Sequence, residues 1–220
     1  MNLALDIAHL LAGGLVVISF VLLYQTRLVS LLDSYVAHAV ILGCAVGWQA
    51  ISQHEPALYV TALLALVVKA GVIPLALRRI VRKLNIHREV DQVVSVGLTM
   101  LAGTGLTALS VLVMLPVTIH ESSIAREDLM FALAVVLLGL LMMTTRRNAV
   151  SEIVGFMSLE NGLVLAATGA KGMPLVVEIS VVLSILIAIF VIATFLFHIR
   201  EQFETMDVQA LDRFRGDLHG

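Results

Sequence analysis

Charged residues and cysteine are both scarce in this chain of 220 residues. Only 14% of its residues are charged, whereas soluble domains carry about a quarter, so an ordinary soluble globular fold is excluded. A single cysteine, Cys44, allows no internal disulfide and no cysteine cluster for an iron–sulfur or structural zinc centre. The histidines lie on different segments without the spacing of metal ligands. We therefore expect no cofactor and no metal site, and any redox metal would belong to another subunit.

The chain is instead rich in long, continuous apolar runs. Hydrophobic residues make up 60% of it, and the mean hydropathy is +1.01. In lipid every backbone N–H and C=O must be paired within the protein, which only helices and closed barrels achieve. Runs of this length without polar alternation indicate helices. The first run has neither a basic segment before it nor a small-residue cleavage site after it, so a cleaved signal peptide is not expected. The sequence predicts an all-α integral membrane protein.

Seven apolar segments are long enough to span a bilayer, which takes about 20 residues. They are Leu3–Tyr24, Leu28–Ile51, Ala57–Leu77, Val93–Val117, Leu129–Thr145, Ala149–Thr168 and Met173–Phe197. We interpret residues 1–220 as a single membrane domain, with four helices in 1–128, three in 129–198 and a polar tail at 199–220. The fourth segment is rich in glycine and threonine, and we expect it to pack tightly against neighbouring helices rather than face lipid.

Lysine and arginine are distributed unequally between the two sides of this seven-span arrangement. The side of the C-terminus carries eleven of them and the side of the N-terminus two, while Lys69 lies inside a span. Because cytoplasmic loops are enriched in these residues, we predict an outside N-terminus and a cytoplasmic C-terminus in the inner membrane of a cell. The basic loop 78–91 fits the same rule; binding of a soluble partner or of anionic lipid there stays open.

Two charged residues, Lys69 and Glu160, lie deep inside predicted spans. A charge at the bilayer centre costs roughly 2.5–3.5 kcal/mol on insertion scales, so such residues usually have a function. Glu160 is either a proton carrier, which we favour, or a protonated carboxyl hydrogen-bonded to a neighbour. Lys69 either extends its alkyl chain to the interface or turns inward to pair with a carboxylate on another helix. The residues alone do not favour either arrangement of Lys69. Pro74 frees a backbone carbonyl one turn away, which places a further polar group near Lys69.

Three further residues are weaker candidates for a proton path. Glu152 lies near the predicted cytoplasmic end of its span and can simply meet water. Glu178 follows Pro174 in the first turn of the last span, where the helix dipole also favours a carboxylate. Glu152, Glu160 and Glu178 would form an inner, middle and outer series if water linked them. His38 lies deep in the second span, and a hydrogen-bonded packing role explains it better than proton transfer.

Four segments carry a recognisable pattern. They are 146–162, from Arg146–Arg147–Asn148 to Glu160–Asn161–Gly162, then Leu175–Ile179 around Glu178, Lys69–Pro74 and Met206–Val208. Together they resemble the hydrogenase-4 component E family, the membrane subunits of formate hydrogenlyase-type, group 4 hydrogenase complexes. The last three helices are similar in turn to the K-type subunit of complex I and the C subunit of Mrp antiporters.

The resemblance implies that Glu160 matches the first of two intramembrane glutamates that contribute to a proton path. Members of the family commonly carry an acid six positions after the glutamate that matches Glu178, and here that position is Ser184. A serine can hold a water molecule but cannot carry a proton charge. A relay in this chain would therefore pass through water or Glu178.

The leading hypothesis is a membrane subunit of a complex I-like or group 4 hydrogenase-like complex, with no enzymatic activity of its own. Glu160, Lys69, Glu178, Glu152, His38 and Ser184 would contribute to a proton or sodium path. The resemblance implies antiporter-like membrane subunits and a peripheral redox arm as partners, with a nickel–iron large subunit if the complex is a hydrogenase. No nucleic-acid partner is expected.

Two other functions stay open at this point. A structural anchor would pair its buried charges internally and hold antiporter-like subunits in the complex without conducting ions. A stand-alone secondary transporter is disfavoured, because the sequence has no repeat pair and no Gly/Pro-broken helices in matching positions.

Overall fold

The computed structural model describes residues 3–83, 93–118 and 123–169, and residues 179–194 except 181, 188, 189, 192 and 193. Six helices in this part of the chain are long and apolar enough to cross a membrane, as predicted for an all-α polytopic protein. The seventh predicted span is described only between 179 and 194, where its residues are helical. Glu178, most of the basic loop 78–91 and the tail 199–220 lie outside the described residues. The orientation in the membrane stays a prediction.

The described helices are numbered in chain order. Their bounds are α1 Leu3–Tyr24, α2 Leu28–Gln53, α3 Pro56–Leu64, a π-helical segment Ala65–Val72, α4 Ile73–Lys83, α5 Val96–Val117, α6 Ser123–Thr145 and α7 Ala149–Gly169. The α3 helix, the π-helical segment and α4 are continuous and together form the third span. We call the helical residues between 179 and 194 the C-terminal helix.

Local chemistry explains where two of these hairpins turn. His54 ends α2 in the left-handed region, with a φ of 56°, and Pro56 then opens α3 at a position where its missing N–H costs nothing. Between α6 and α7, the Asn148 side chain accepts a hydrogen bond from the Val150 N–H at 2.9 Å, which satisfies one free donor at the start of α7. Such short connections make α2 and α3, and likewise α6 and α7, antiparallel neighbours.

Helix α2 lies at the centre of the bundle. It contacts α1 on one side, the third span on another and α7 on a third. Its buried face consists mainly of leucine and alanine but also contains Tyr35 and His38, both fully buried. At Gly43 a Cβ atom would come within 2.6 Å of the Leu66 side chain, so this glycine allows the third span to approach closely. A polar side chain on this face of α2 is therefore surrounded by other helices.

The α6 and α7 helices pack with their backbones in near contact. A Cβ atom at Gly139 of α6 would lie 2.5 Å from the Leu159 backbone nitrogen and 2.9 Å from the Gly155 carbonyl oxygen of α7. Only glycine permits such an approach of two helices. This contact fixes α7, and therefore Glu160, rigidly against the rest of the bundle.

The expectation that the fourth span packs tightly is wrong for this chain on its own. Helix α5 is the least buried of the six spans, and a Cβ atom at Gly97 or Gly105 would meet nothing within 4 Å. Only the face that carries Gly103 lies against the bundle, where it contacts Phe20. The small residues are spread around α5 rather than gathered on one side, so one face is packed and the others are exposed.

Candidate functional site: a buried row of polar side chains

The centre of the site is an ion pair between Lys69 and Glu160. The Lys69 Nζ atom lies 3.1 Å from Glu160 Oε1, and the two residues are 5% and 1% exposed. Lys69 is therefore turned inward, which is one of the two arrangements that the sequence left open. Each residue lies near the middle of its span, and both side chains are enclosed by neighbouring helices. The pair is held between the third span and α7.

The C-terminal helix adds a hydroxyl to the carboxylate. Ser184 Oγ donates to Glu160 Oε1 at 2.5 Å and also lies 2.9 Å from the carbonyl oxygen of Ser180 in its own helix. One hydroxyl hydrogen can serve only one of these acceptors at a time. Ser184 thus contacts the same oxygen as Lys69.

Asn161, the residue after Glu160, connects the ion pair to α2. Its Oδ1 atom accepts a hydrogen bond from Lys69 Nζ at 2.9 Å, and its Nδ2 atom lies 2.9 Å from His38 Nδ1. His38 Nε2 in turn lies 3.0 Å from Ser19 Oγ of α1, which donates to the Leu15 carbonyl at 2.8 Å. His38 is therefore a hydrogen-bonded buried residue, in contact with a neighbour of Glu160.

These contacts form one continuous row across the bundle. Successive members stand on different helices, from α1 through α2, α7 and the third span to the C-terminal helix. We call this set the buried row; its members are Ser19, His38, Asn161, Lys69, Glu160 and Ser184. The row runs from helix to helix rather than along any one of them, so it crosses the bundle sideways.

The π-helical segment determines where Lys69 points. In this segment the N–H of Ile73 bonds to the carbonyl of Val68, five residues earlier, instead of four. Pro74 follows at once and has no N–H to offer a preceding carbonyl. Single turns of π-helix occur frequently at functional sites, because the wider turn shifts the side chains after it to a new face. Here the segment contains Lys69 itself.

Two polar atoms beside the row have no hydrogen-bond partner among the described residues. They are Oε2 of Glu160 and the hydroxyl of Tyr35, a fully buried α2 residue that interacts with Glu160 and Asn161. A small cavity of about 20 Å³ lies beside Lys69, and Thr61, Ser180 and Ser184 contribute to its wall. That volume fits a single water.

The remaining predicted site residues lie elsewhere or are not described. Glu152 is exposed in the first turn of α7 and borders an apolar groove with Phe156 and Phe190. In the described part of the chain, Glu152 makes no contact with the buried row. Glu178 lies outside the described residues, so its place in a carboxylate series stays a prediction.

Sequence reasoning missed two functional-looking residues. Asn161 was noted only as part of a motif, because an asparagine next to a buried glutamate does not reveal its partners. Arg146 was counted as a cytoplasmic charge, yet it is buried and donates to the α1 carbonyls of Leu22 and Leu23, the latter at 2.5 Å. Burial lowers the pKa of Arg146 to about 10, which still leaves the guanidinium charged at neutral pH. It caps the end of α1 from the connection between α6 and α7.

Comparison with known proteins gives one informative relative. The chain is 31% identical over 208 residues to uncharacterized protein Rv0085 of Mycobacterium tuberculosis, and the match covers 93% of this chain and 94% of the relative. No family model matches the chain. No solved structure matches it either.

Proposed function

The chain belongs to the family of uncharacterized protein Rv0085 from Mycobacterium tuberculosis, and we propose that it is a membrane subunit of a complex I-like or group 4 hydrogenase-like redox complex. In this proposal the chain resides in the cytoplasmic membrane and contributes Glu160 and Lys69 to a proton or sodium path. Antiporter-like membrane subunits and a peripheral redox arm would be its partners.

The observation that carries this proposal is the Lys69–Glu160 pair, buried at mid-span and extended by polar side chains on both sides. A buried ion pair is seldom retained for stability alone, since apolar residues of similar volume usually serve as well or better. Ionisable residues inside membrane spans mark ion pathways and proton relays. Two such residues in contact, each with a further polar neighbour, suit a step in lateral charge transfer.

The chemistry available to the pair is proton exchange. Transfer of one proton from Lys69 Nζ to Glu160 Oε1, 3.1 Å away, would convert the ammonium and carboxylate into an amine and a carboxylic acid. A change of charge in a neighbouring subunit would favour one of these two forms over the other. Electron transfer in the redox arm could be coupled to ion movement in this way, while Ser184 adjusts its hydroxyl to the carboxyl form.

The test is the variant Glu160→Gln in the assembled complex, reconstituted into sealed vesicles. We expect coupled turnover and ion uptake to fall together, because a glutamine cannot take the proton. Glu55→Gln, an exposed residue in the turn before α3, is the matched control and should pump normally. Unchanged ion uptake and coupled turnover in Glu160→Gln would refute a role in conduction.

One observation favours a second function, that of a structural anchor. The charges of the pair are satisfied within this chain, since Lys69 contacts both Glu160 and Asn161. If the chain only holds antiporter-like subunits in place, Glu160→Gln should weaken assembly on a native gel and leave the activity of each assembled complex unchanged. Purification in mild detergent with mass spectrometry of the subunits would identify the partners; a nickel–iron large subunit among them would identify a hydrogenase.

A further inference from the structure

The hydrogens along the buried row can be assigned from the donors and acceptors present. The Lys69 ammonium has only hydrogens to offer, so the atom of Asn161 that it contacts at 2.9 Å must be the oxygen. The amide nitrogen then faces His38 Nδ1 at 2.9 Å. Because an amide NH2 only donates, His38 Nδ1 must be the acceptor and therefore carries no hydrogen.

The same reasoning continues to α1. Because Nδ1 is unprotonated, a neutral imidazole has its hydrogen on Nε2, which faces Ser19 Oγ at 3.0 Å. The serine hydroxyl accepts there and donates its own hydrogen to the Leu15 carbonyl at 2.8 Å. Each of these four hydrogen bonds then has one donor and one acceptor, and all four point in one direction, from Lys69 towards α1.

A proton on His38 would break this order. Nδ1 would become a donor and would oppose the amide NH2 of Asn161 at hydrogen-bond distance. Rotation of the amide by half a turn would restore the bond to His38, because Oδ1 would then face the imidazolium. The same rotation turns the NH2 group towards Lys69, and that contact is favourable only if Lys69 is a neutral amine with a lone pair.

We propose that the Asn161 amide is a two-position switch that allows either Lys69 or His38, but not both, to carry a positive charge. It rests on the proposed function for its use in ion translocation. In one position the charge is on Lys69, paired with Glu160; in the other the proton is on His38, beside Ser19. Asn161 is fully buried, so water cannot substitute for either of its bonds without entering the bundle.

The other titratable groups near the amide are compatible with both positions. Glu160 precedes Asn161 on α7 and contacts Lys69 through Oε1, so it does not occupy the amide. The Tyr35 hydroxyl from α2 interacts with the Asn161 side chain, and as a hydroxyl it can donate to the amide oxygen or accept from the amide nitrogen. The third span brings Lys69 to the amide. Neither Glu160 nor Tyr35 locks the amide in one orientation.

The first measurement is the imidazole tautomer of His38 in the full-length wild-type chain in lipid nanodiscs, by ¹⁵N NMR at neutral pH. We expect a neutral ring with an unprotonated Nδ1 and a hydrogen on Nε2. A hydrogen on Nδ1 at neutral pH would overturn the assignment on which the switch depends. This measurement needs no variant, so it does not depend on how a mutant folds.

The second measurement separates the switch from simple charge repulsion. Lys69→Met removes a cation near His38 and also frees the amide, and its effect on the proton affinity of His38 is measured by NMR titration. The same substitution is then made in an Asn161→Leu background, where only the charge effect remains. Lys69→Met should increase the proton affinity of His38 in both backgrounds. We expect this increase to be about tenfold to a hundredfold larger when Asn161 is present, because that factor corresponds to one unmade buried hydrogen bond.

Equal increases in the two backgrounds would overturn the switch. The outcome is distinguishable from that of the function test, because the tautomer and titration concern the isolated chain. Pumping by an assembled complex could depend on Glu160 while the amide stays fixed, or the amide could switch in a protein that only anchors its partners.

Discussion

Removing either Lys69 or Glu160 alone should lower the free energy of unfolding of the protein far more than removing both. Breaking a buried ion pair by removing one partner costs about 3–5 kcal/mol, because the other charge is left buried and uncompensated. After Lys69→Met, the Ser184 hydroxyl is the one hydrogen-bond donor left to the carboxylate among the described residues, so we expect a loss of stability near the upper end of that range. After Glu160→Gln, the ammonium keeps the Asn161 oxygen at 2.9 Å, and the loss should be nearer the lower end.

The double variant Lys69→Met/Glu160→Gln should regain most of the lost stability. No charge is then buried, and exchange of a buried pair for uncharged residues of similar volume is often neutral or stabilising by about 1–4 kcal/mol. The pair is also imperfectly satisfied, since Glu160 Oε2 has no hydrogen-bond partner among the described residues. If the single losses were additive, the double variant would lose roughly 8 kcal/mol; we expect it within about 1 kcal/mol of the wild type.

Equilibrium unfolding in mixed detergent micelles, followed by circular dichroism and by the fluorescence of the single tryptophan Trp48, would measure these differences. Arg78→Met is the matched control, because Arg78 lies on the same span as Lys69 and pairs with Asp33 of α2, and the side chains of that pair are partly exposed. An exposed pair contributes about 0–1 kcal/mol, so this variant should lose little. The idea of a buried, mutually dependent pair would be refuted if the loss of stability in the double variant equalled the sum of the two single losses. It would also be refuted if Lys69→Met lost as little stability as Arg78→Met.

Two further predictions concern packing and orientation. Gly139→Ala should destabilise the protein by about 1–3 kcal/mol or more in the same unfolding assay, because the new Cβ would meet the α7 backbone at 2.5 Å. Gly105→Ala is the control and should be neutral, because nothing lies within 4 Å of its Cβ. Equal effects of the two substitutions would contradict this packing. For orientation, a cysteine at His54 in a Cys44→Ser background should react with an impermeant maleimide added outside intact cells, and labelling only after lysis would reverse the topology.

The helices were predictable because lipid leaves the backbone few alternatives. Each of the six described spans begins within one residue of the predicted start or ends within one residue of the predicted end. The packing of α5 was not predictable, because small residues show that a close contact is possible but not which helix makes it. The sequence suggested a counter-charge for Lys69, since a buried charge requires one, but not the contact between Asn161 and His38. That contact depends on how α2 and α7 are rotated about their axes.

The rotation of the third span does leave a trace in the sequence, although ordinary helical periodicity hides it. From the π-helical segment to the end of α4, one set of buried residues recurs at every fourth position, and Pro74 is buried beside it. The members of the set are Ala65, Lys69, Ile73, Leu77 and Val81. On an α-helix of 3.6 residues per turn, a strict four-residue repeat drifts by about 160° over those sixteen steps, and its last member would face away from its first. With eight residues wound at about 4.4 per turn, as in a π-helix, the drift falls to about 15°. The wider turn is therefore what keeps Lys69 on the same buried face as the apolar residues before and after it.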